Sequence, residues 1–222
     1  MPKPKIASVH GRQTEQGQVS RKALIDAAVA LICERGIHGT SVGAICERAG
    51  VVKTGLYWHF GSKDGLLAAV MDDIASLWVD EILNEVYQVG NPRARLDALV
   101  EGLRGVVEKR AQLLQVIQAV ISESANVSDE VREAVRRLNT LSLDAIAQGY
   151  RDTLGMDLPD LDLLANTIIA LTHGALRQYQ IDPKNTDLDR LFEDMKRTAV
   201  VILNERVRRT LGKDVLDTGE NT

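Results

Sequence analysis

The stretch from Ala49 to Lys63 constrains the fold of this chain more than any other part of its sequence. Only eight of the 222 residues are aromatic, and three of them fall between positions 57 and 60. Gly50 is placed to end one helix, and Ser62 is placed to cap another. The pattern predicts a short helix between two tight turns, with aromatic side chains crowded onto it.

Leu56 and Phe60 lie four residues apart, so both face the same side of that helix, towards a core. The other side chains then lie on or near its outer surface: Lys53, Thr54, Tyr57, Trp58, His59 and Lys63. Exposing cations, hydroxyls and aromatic rings together favours a binding role. Double-stranded DNA fits best, because ammonium and phenol groups contact phosphate and a helix fits the major groove.

The charge distribution favours the same partner, although the chain as a whole has a net charge of −4. Residues 1–65 carry nine Lys or Arg and five Asp or Glu, a net charge of +4, and the remainder has a net charge of −8. Positive charge is therefore concentrated around the short helix, as expected of a nucleic-acid-binding segment.

Composition and helical periodicity predict an all-α protein with a substantial core. Hydrophobic residues make up 45% of the chain, and there are only five prolines. No apolar run approaches the roughly 18 residues of a membrane span, and no apolar segment follows the amino-terminal lysines. Cys33 and Cys46 are isolated, which favours a reducing compartment. We therefore expect a cytoplasmic protein, in which the cysteines are small buried side chains or, alternatively, redox sensors.

The periodicity divides the chain into four parts. Residues 1–19 are predicted to be a flexible basic arm, which either lies along DNA or is simply a disordered terminus. Residues 20–65 are predicted to form a three-helix helix-turn-helix domain that starts at an N-cap at Ser20. About six helices follow in residues 66–212, and residues 213–222 are predicted to be a disordered tail.

Capping signals predict most helix boundaries. Thr40 or Ser41 caps the second helix, Ser62 the fourth, Asn91 before Pro92 the fifth, and Ser128 the seventh. Helices after the DNA-binding part are predicted at about 62–87, 92–109, 111–123, 128–154, 160–180 and 187–211. Apolar residues cover nearly every face of 160–180, so we expect that helix to be buried on all sides, with a second subunit covering one of them.

The run Leu-Tyr-Trp-His-Phe-Gly-Ser-Lys, within Thr40 to Leu67, resembles the DNA-binding segment of the TetR/AcrR family of bacterial transcription regulators. The resemblance is specific over roughly residues 20–70. It implies a homodimer in which the last two long helices, about 160–180 and 187–211, form a four-helix interface between subunits. Two linked reading helices would then engage the two halves of a palindromic operator.

The resemblance and the residue chemistry together predict the DNA contacts. Tyr57, His59 and Lys63 match family positions that contact phosphates. Lys53, Thr54 and Gly55 open the reading helix, where side chains reach base edges. The remaining predicted contacts are Ser41 and Trp58, and the indole either packs over sugar and phosphate or stacks on the second helix as core.

Two positions depart from the family pattern. Val52 stands where a serine often caps the reading helix, so Lys53 or Thr54 is expected to supply the cap. Gly43 stands where an arginine or another polar contact residue is common. It removes one expected DNA contact, although it could allow the backbone to approach a phosphate closely.

The part after residue 65 is large, apolar and acidic, and it shows no catalytic constellation and no metal-ligand spacing. We therefore predict no enzyme activity, no cofactor and no metal site. The leading hypothesis is a repressor released from DNA by a small, apolar effector, with candidate contacts at Trp78, Asn139, Tyr150 and His173. For His173 the default interpretation is a hydrogen-bonded histidine of the core or interface, and an effector contact is the alternative. The alternatives are a DNA-binding regulator or activator without an effector, and an all-helical enzyme or binding module with an accidental resemblance.

Overall fold

The described part of the chain is built entirely of α-helices, which confirms the all-α prediction. The computed structural model describes residues 15–87, 90–123 and 126–212. The helices are α1 Glu15–Arg35, α2 Val42–Ala49, α3 Lys53–Phe60, α4 Lys63–Tyr87, α5 Pro92–Lys109, α6 Ala111–Ser122, α7 Asp129–Leu154, α8 Leu161–Ile181 and α9 Leu188–Leu211. None of these helices is both long and apolar enough to cross a membrane.

Helix α1 begins earlier than its sequence predicted. It starts at Glu15, so Ser20 lies within the helix, and the Ser20 Oγ is 3.1 Å from the carbonyl oxygens of both Gln16 and Gly17. Serine mid-helix can bond back to a preceding carbonyl in this way, which a capping rule alone does not anticipate. Residues 15–19 are thus helical, whereas the rest of the predicted arm, 1–14, and the predicted tail, 213–222, lie outside the described residues.

The turn between α2 and α3 follows the prediction. The Ser41 Oγ accepts a hydrogen bond from the Ala44 backbone N–H at 3.1 Å and caps α2. Gly50 ends α2 in the left-handed region, with φ 65°, a conformation that costs glycine little because it has no Cβ. The chain therefore turns within three residues, and α2 and α3 form the predicted helix-turn-helix.

The predicted cap of α3 was wrong. Val52 occupies the N-cap position with extended backbone angles, and neither its own side chain nor that of Lys53 or Thr54 accepts a capping bond. The reason is geometric, because a capping side chain must precede the helix, and both Lys53 and Thr54 already lie in its first turn.

Replacing Val52 by serine is expected to stabilise the protein by about 1 kcal/mol. A serine hydroxyl at this position could accept a bond from an unpaired N–H of the first turn, and the substitution also removes an apolar side chain that is 72% exposed. Chemical denaturation of both proteins would measure the change in the free energy of unfolding. Val19→Ser is the matched control, since Val19 is also exposed but lies inside α1, and an equal gain there would contradict the capping explanation.

The later boundaries agree closely with the capping signals. Ser62 caps α4 by accepting from Gly65 N–H at 2.8 Å, and Asn91 and Ser128 cap α5 and α7. Helix α5 spans the predicted residues 92–109, and α6 ends one residue earlier than predicted. These boundaries were predictable because a cap is a local interaction between residues two or three positions apart.

Helix α4 joins the helix-turn-helix to the rest of the molecule. It runs without interruption through the boundary predicted between residues 65 and 66, and it packs most extensively against α7 and α5. A single hydrophobic cluster extends from α1 to α9. A displacement of α4 therefore cannot be confined to one half of the molecule.

Helix α8 has one exposed face within the subunit, and burial of the helix on all sides was predicted only with a second subunit covering one of them. Its inner face is buried, but Leu163 is 59% exposed, and Leu171 and Ile181 are also exposed. Polar residues share the outer face with them, including Asn166, Thr167 and Gln178. The outer face is therefore mixed, with apolar side chains spaced along it.

Candidate nucleic-acid interface

Helix α3 presents one face to the core and the opposite one to solvent. Leu56 is fully buried, and Phe60 packs partly buried against the core. Four side chains form the outward surface, which we call the reading face: Lys53, Thr54, Tyr57 and Trp58, all exposed. The spacing of four residues between Leu56 and Phe60 thus predicted the inward face correctly.

Trp58 belongs to the outward surface and not to the core. Its side chain is 69% exposed, and its ring meets that of His59 edge to face, with centroids 4.6 Å apart. Of the two interpretations left open by the sequence, stacking on α2 is therefore wrong. An indole in this position is available to pack over a sugar-phosphate backbone.

The amino end of α2 and the Lys53 side chain lie side by side. A Cβ built on Gly43 would lie 3.7 Å from Lys53 Cε and 3.9 Å from its Nζ, so the lysine stem runs close to the first turn of α2. Helix amino ends carry partial positive charge, and the ammonium adds to it. Ser41, at the same end, is exposed, so this is a place where an anion would be attracted.

Gly55 leaves space for close packing at the start of α3, because it has no side chain. A Cβ at this position would lie 2.8 Å from Val51 Cγ1, closer than side chains tolerate. The glycine therefore allows α3 to pack tightly on the turn that precedes it. Its predicted role at base edges stays a prediction.

His59 lies against α1 rather than on the outer surface. Its Nε2 is 3.0 Å from Ser20 Oγ, within hydrogen-bond distance. Its Nδ1 is buried and has no hydrogen-bond partner within the described part of the chain. Burial, helped by the nearby Arg21 charge, holds the pKa of His59 below its ordinary value. The phosphate contact predicted for His59 stays a prediction, and it would require the ring to leave this position.

Lys63 is also engaged inside the subunit. Its ammonium donates a hydrogen bond of 2.7 Å to the carbonyl of Ile37, in the loop between α1 and α2. Burial lowers its pKa from the ordinary value. The predicted phosphate contact of Lys63 therefore competes with a bond that holds this loop against the start of α4.

Arg21 is a positioning residue that sequence reasoning missed. Its guanidinium lies 5.6 Å from the centroid of the Phe60 ring and 3.3 Å from Asp73 Oδ1, so it joins α1 to both α3 and α4. No local sequence signal could have revealed it, because its partners are 39 and 52 positions away along the chain. It fixes the orientation from which α3 presents its reading face.

The four predicted effector contacts do not lie together. Trp78 and His173 line one cavity of about 10 Å³ within the bundle. Asn139 is exposed on α7, and Tyr150 is packed in the core, where burial raises the pKa of its hydroxyl; neither lines this cavity. Helical spacing gives the face of a residue but not its distance from a neighbouring helix, so it could not show which of these side chains share a cavity, and the effector contacts predicted for Asn139 and Tyr150 stay predictions.

Comparison with known proteins agrees with this geometry. Residues 24–70 match the family model of bacterial regulatory proteins, tetR family. The HTH-type transcriptional regulator AcrR of Shigella flexneri is 28% identical over 82% of this chain and 89% of its own length. The HTH-type transcriptional regulator BetI of Paraburkholderia phymatum is 31% identical over 64% of this chain and 70% of its own length.

Solved structures share the fold along most of the chain. A putative transcriptional regulator from Pseudomonas aeruginosa PAO1 superposes with a TM-score of 0.74 at 21% identity, covering 89% of this chain and 96% of its own. AibR, solved in complex with isovaleryl coenzyme A and operator DNA, gives a TM-score of 0.61 at 23% identity, covering 81% and 97%. The relatives are transcriptional regulators, and the matched segment contains the helix-turn-helix built above. The chain belongs to the TetR family of bacterial regulatory proteins and is a DNA-binding transcriptional regulator, not an enzyme.

Proposed function

We propose that the protein is a ligand-responsive repressor that binds a palindromic operator as a homodimer and leaves it when a small effector binds. The observation that carries this proposal is the reading face of α3, where a cation, two hydroxyls and an indole are exposed on a helix anchored by Leu56. Such a helix can enter the major groove while its partner helix α2 crosses the backbone. The predicted division into a DNA-binding part, 20–65, and an effector and dimer part, 66–212, is included in this proposal.

Exposed apolar side chains support a homodimer through α8 and α9. Leu163 and Leu171 on α8, and Leu191 and Val201 on α9, point away from the subunit core. Apolar side chains repeated along two neighbouring helices are costly in water and are typical of a surface that meets another protein. A symmetric contact of this kind would hold two reading faces at a fixed separation.

Contacts between α6 and the helix-turn-helix support control by an effector. The Cys33 Sγ donates to the Gln112 carbonyl at 3.4 Å, and His38 Nε2 lies 3.0 Å from Glu123 Oε2. These contacts join α1 and the loop after it to the two ends of α6. A ligand that displaces α6 would therefore move α1, and it would shift the equilibrium by its difference in affinity for the two arrangements.

One observation favours the second candidate, a DNA-binding regulator or activator without an effector. The cavity inside the bundle holds about 10 Å³, far below the roughly 300 Å³ of a small-molecule site. The neighbouring structure that holds both an acyl coenzyme A and operator DNA supports the first candidate. In that candidate the bundle must open to accept a ligand.

Selection from a random duplex library, followed by transcription from a promoter that carries the selected site, would test the proposal. We expect an inverted repeat bound by two chains, and we expect fewer transcripts when the protein is added. A site without symmetry, or an increase in transcription, would contradict the repressor proposal.

A further inference from the structure

His173 lines two separate spaces in the bundle. An open cleft of about 650 Å³ lies between α6 and α8, lined by apolar residues such as Ile117 and Leu176. The cavity of about 10 Å³ lies deeper, among α4, α5, α7 and α8. His173 lines both spaces and is the single residue shared by the two linings. A rotation of its side chain would therefore change the walls of both spaces at once.

The lining of the deeper cavity includes a tryptophan whose indole N–H is not used as a hydrogen-bond donor among the described residues. Trp78 is 7% exposed, and its indole Nε1 is buried without an acceptor among the described residues. The same lining has two hydroxyl groups, and both already donate hydrogen bonds to backbone carbonyls. Ser142 Oγ donates to the Leu138 carbonyl and Thr172 Oγ1 to the Ile168 carbonyl, each at 2.8 Å. Burying a donor without an acceptor is costly, so this N–H favours an occupant that brings an oxygen.

The charges of the two spaces differ. The lining of the deeper cavity includes no Lys, Arg, Asp or Glu, and burial lowers the pKa of His173, which therefore stays neutral near pH 7. A charged group would be expensive to place there. The cleft, by contrast, has Gln115, Gln118 and Arg177 among its lining residues, so the outer end of an occupant can be polar.

We propose that the effector is an elongated, mainly apolar molecule whose inner end is an uncharged oxygen acceptor. It enters from the cleft between α6 and α8, passes His173, and accepts a hydrogen bond from Trp78 Nε1. His173 acts as a gate, and Trp78 selects a carbonyl or similar oxygen over a hydrocarbon end. This inference rests on the proposed effector control and adds the site, the route of entry and the ligand class. Because α6 forms one wall of the cleft and packs against α1, widening the cleft is the step that would reach the reading face.

The full-length Trp58→Phe protein provides a direct measurement, because Trp78 is then its sole tryptophan. The probes are 2-octanone, 1-octene and octylammonium, which have similar length and differ at one end. We expect 2-octanone to bind saturably and to shift the Trp78 emission. We expect 1-octene to bind roughly tenfold more weakly, because it cannot accept the hydrogen bond, and octylammonium to produce no saturable shift. Equal affinity for the ketone and the alkene would overturn the role of Trp78.

Three variants of the otherwise native protein test the donor and the gate separately, with binding followed by calorimetry. Trp78→Phe keeps an apolar ring but removes the N–H, so the preference for the ketone over the alkene should disappear. His173→Phe should slow the entry of 2-octanone, whereas His173→Ala should speed it, and circular dichroism would verify that each variant is folded. The same affinity and rates in all three proteins would exclude this site.

The outcomes separate this inference from the proposed function. If 2-octanone binds as described but leaves the affinity for the selected duplex unchanged, effector control fails while the site stands. If a compound releases the duplex equally well from the Trp78→Phe and His173→Phe variants, effector control stands and the assigned site is wrong.

Discussion

Replacing Lys53 by glutamate is expected to lower the affinity for the selected duplex by about 100-fold or more. One well-placed side chain at a base edge contributes about 1–3 kcal/mol, and a symmetric dimer loses two of them. Glutamate also places a negative charge beside the first turn of α2, where the Lys53 stem now lies. The carboxylate is expected to repel phosphate at the position where the wild-type ammonium is expected to attract it.

Fluorescence anisotropy over a series of salt concentrations would measure both the affinity and its salt dependence. For Lys53→Gln, which removes the charge without reversing it, the magnitude of the slope of log K against log salt should fall by about one unit per lysine lost. Lys184→Glu is the matched control, since Lys184 is exposed in the loop between α8 and α9 and the change in net charge is the same. A similar loss for the two glutamate variants would mean that total charge, and not the reading face, sets the affinity.

Local sequence signals predicted the helices well because caps and turns act between near neighbours. Asn91 with Pro92, and Ser128, each marked the start of a helix that the structure confirms. The start of α1 was predicted wrongly because a local signal does not show whether the helix continues beyond it. Ser20 looks like a cap in sequence, but the helix extends through it and its hydroxyl bonds back to carbonyls of the preceding turn.

The candidate site was predictable only as far as the inward and outward faces of one short helix. The spacing of Leu56 and Phe60 was enough to predict that Lys53, Tyr57 and Trp58 are exposed. It could not reveal that His59 packs against Ser20 or that Lys63 bonds to Ile37, because those partners come from other elements. Tertiary contacts of this kind leave no periodic trace in the sequence.

The bundle was less predictable still, because its helices are amphipathic in similar ways. Asn139 and Trp78 both lie on helices expected to enclose a pocket, yet one is exposed and the other is buried in the cavity lining. The outcome depends on how α4 and α7 are rotated against each other, which is set by packing along their full length. The same packing decides which apolar residues of α8 and α9 are left outside.

If the exposed apolar residues of α8 and α9 hold two subunits together, DNA affinity should depend on them. A dimer that engages two half-sites binds far more tightly than one reading helix can, because specific complexes reach about 10⁻⁸–10⁻¹¹ M while non-specific binding is about 10⁻⁴–10⁻⁶ M. Splitting the dimer should therefore reduce affinity towards the non-specific range even though every residue of the reading face is intact.

The double substitution Leu163→Asp with Val201→Asp should convert the protein into a folded monomer and abolish specific binding to the palindrome. The two side chains are 59% and 57% exposed in the subunit, so aspartate there costs the monomer little, whereas a buried interface would have to accommodate unpaired carboxylates on both sides. Sedimentation equilibrium would give the mass, and anisotropy the affinity. Leu141→Asp is the control, because Leu141 is also exposed but lies on α7, and that variant should stay dimeric. A double variant that remains a dimer and binds normally would show that the subunits associate through another surface.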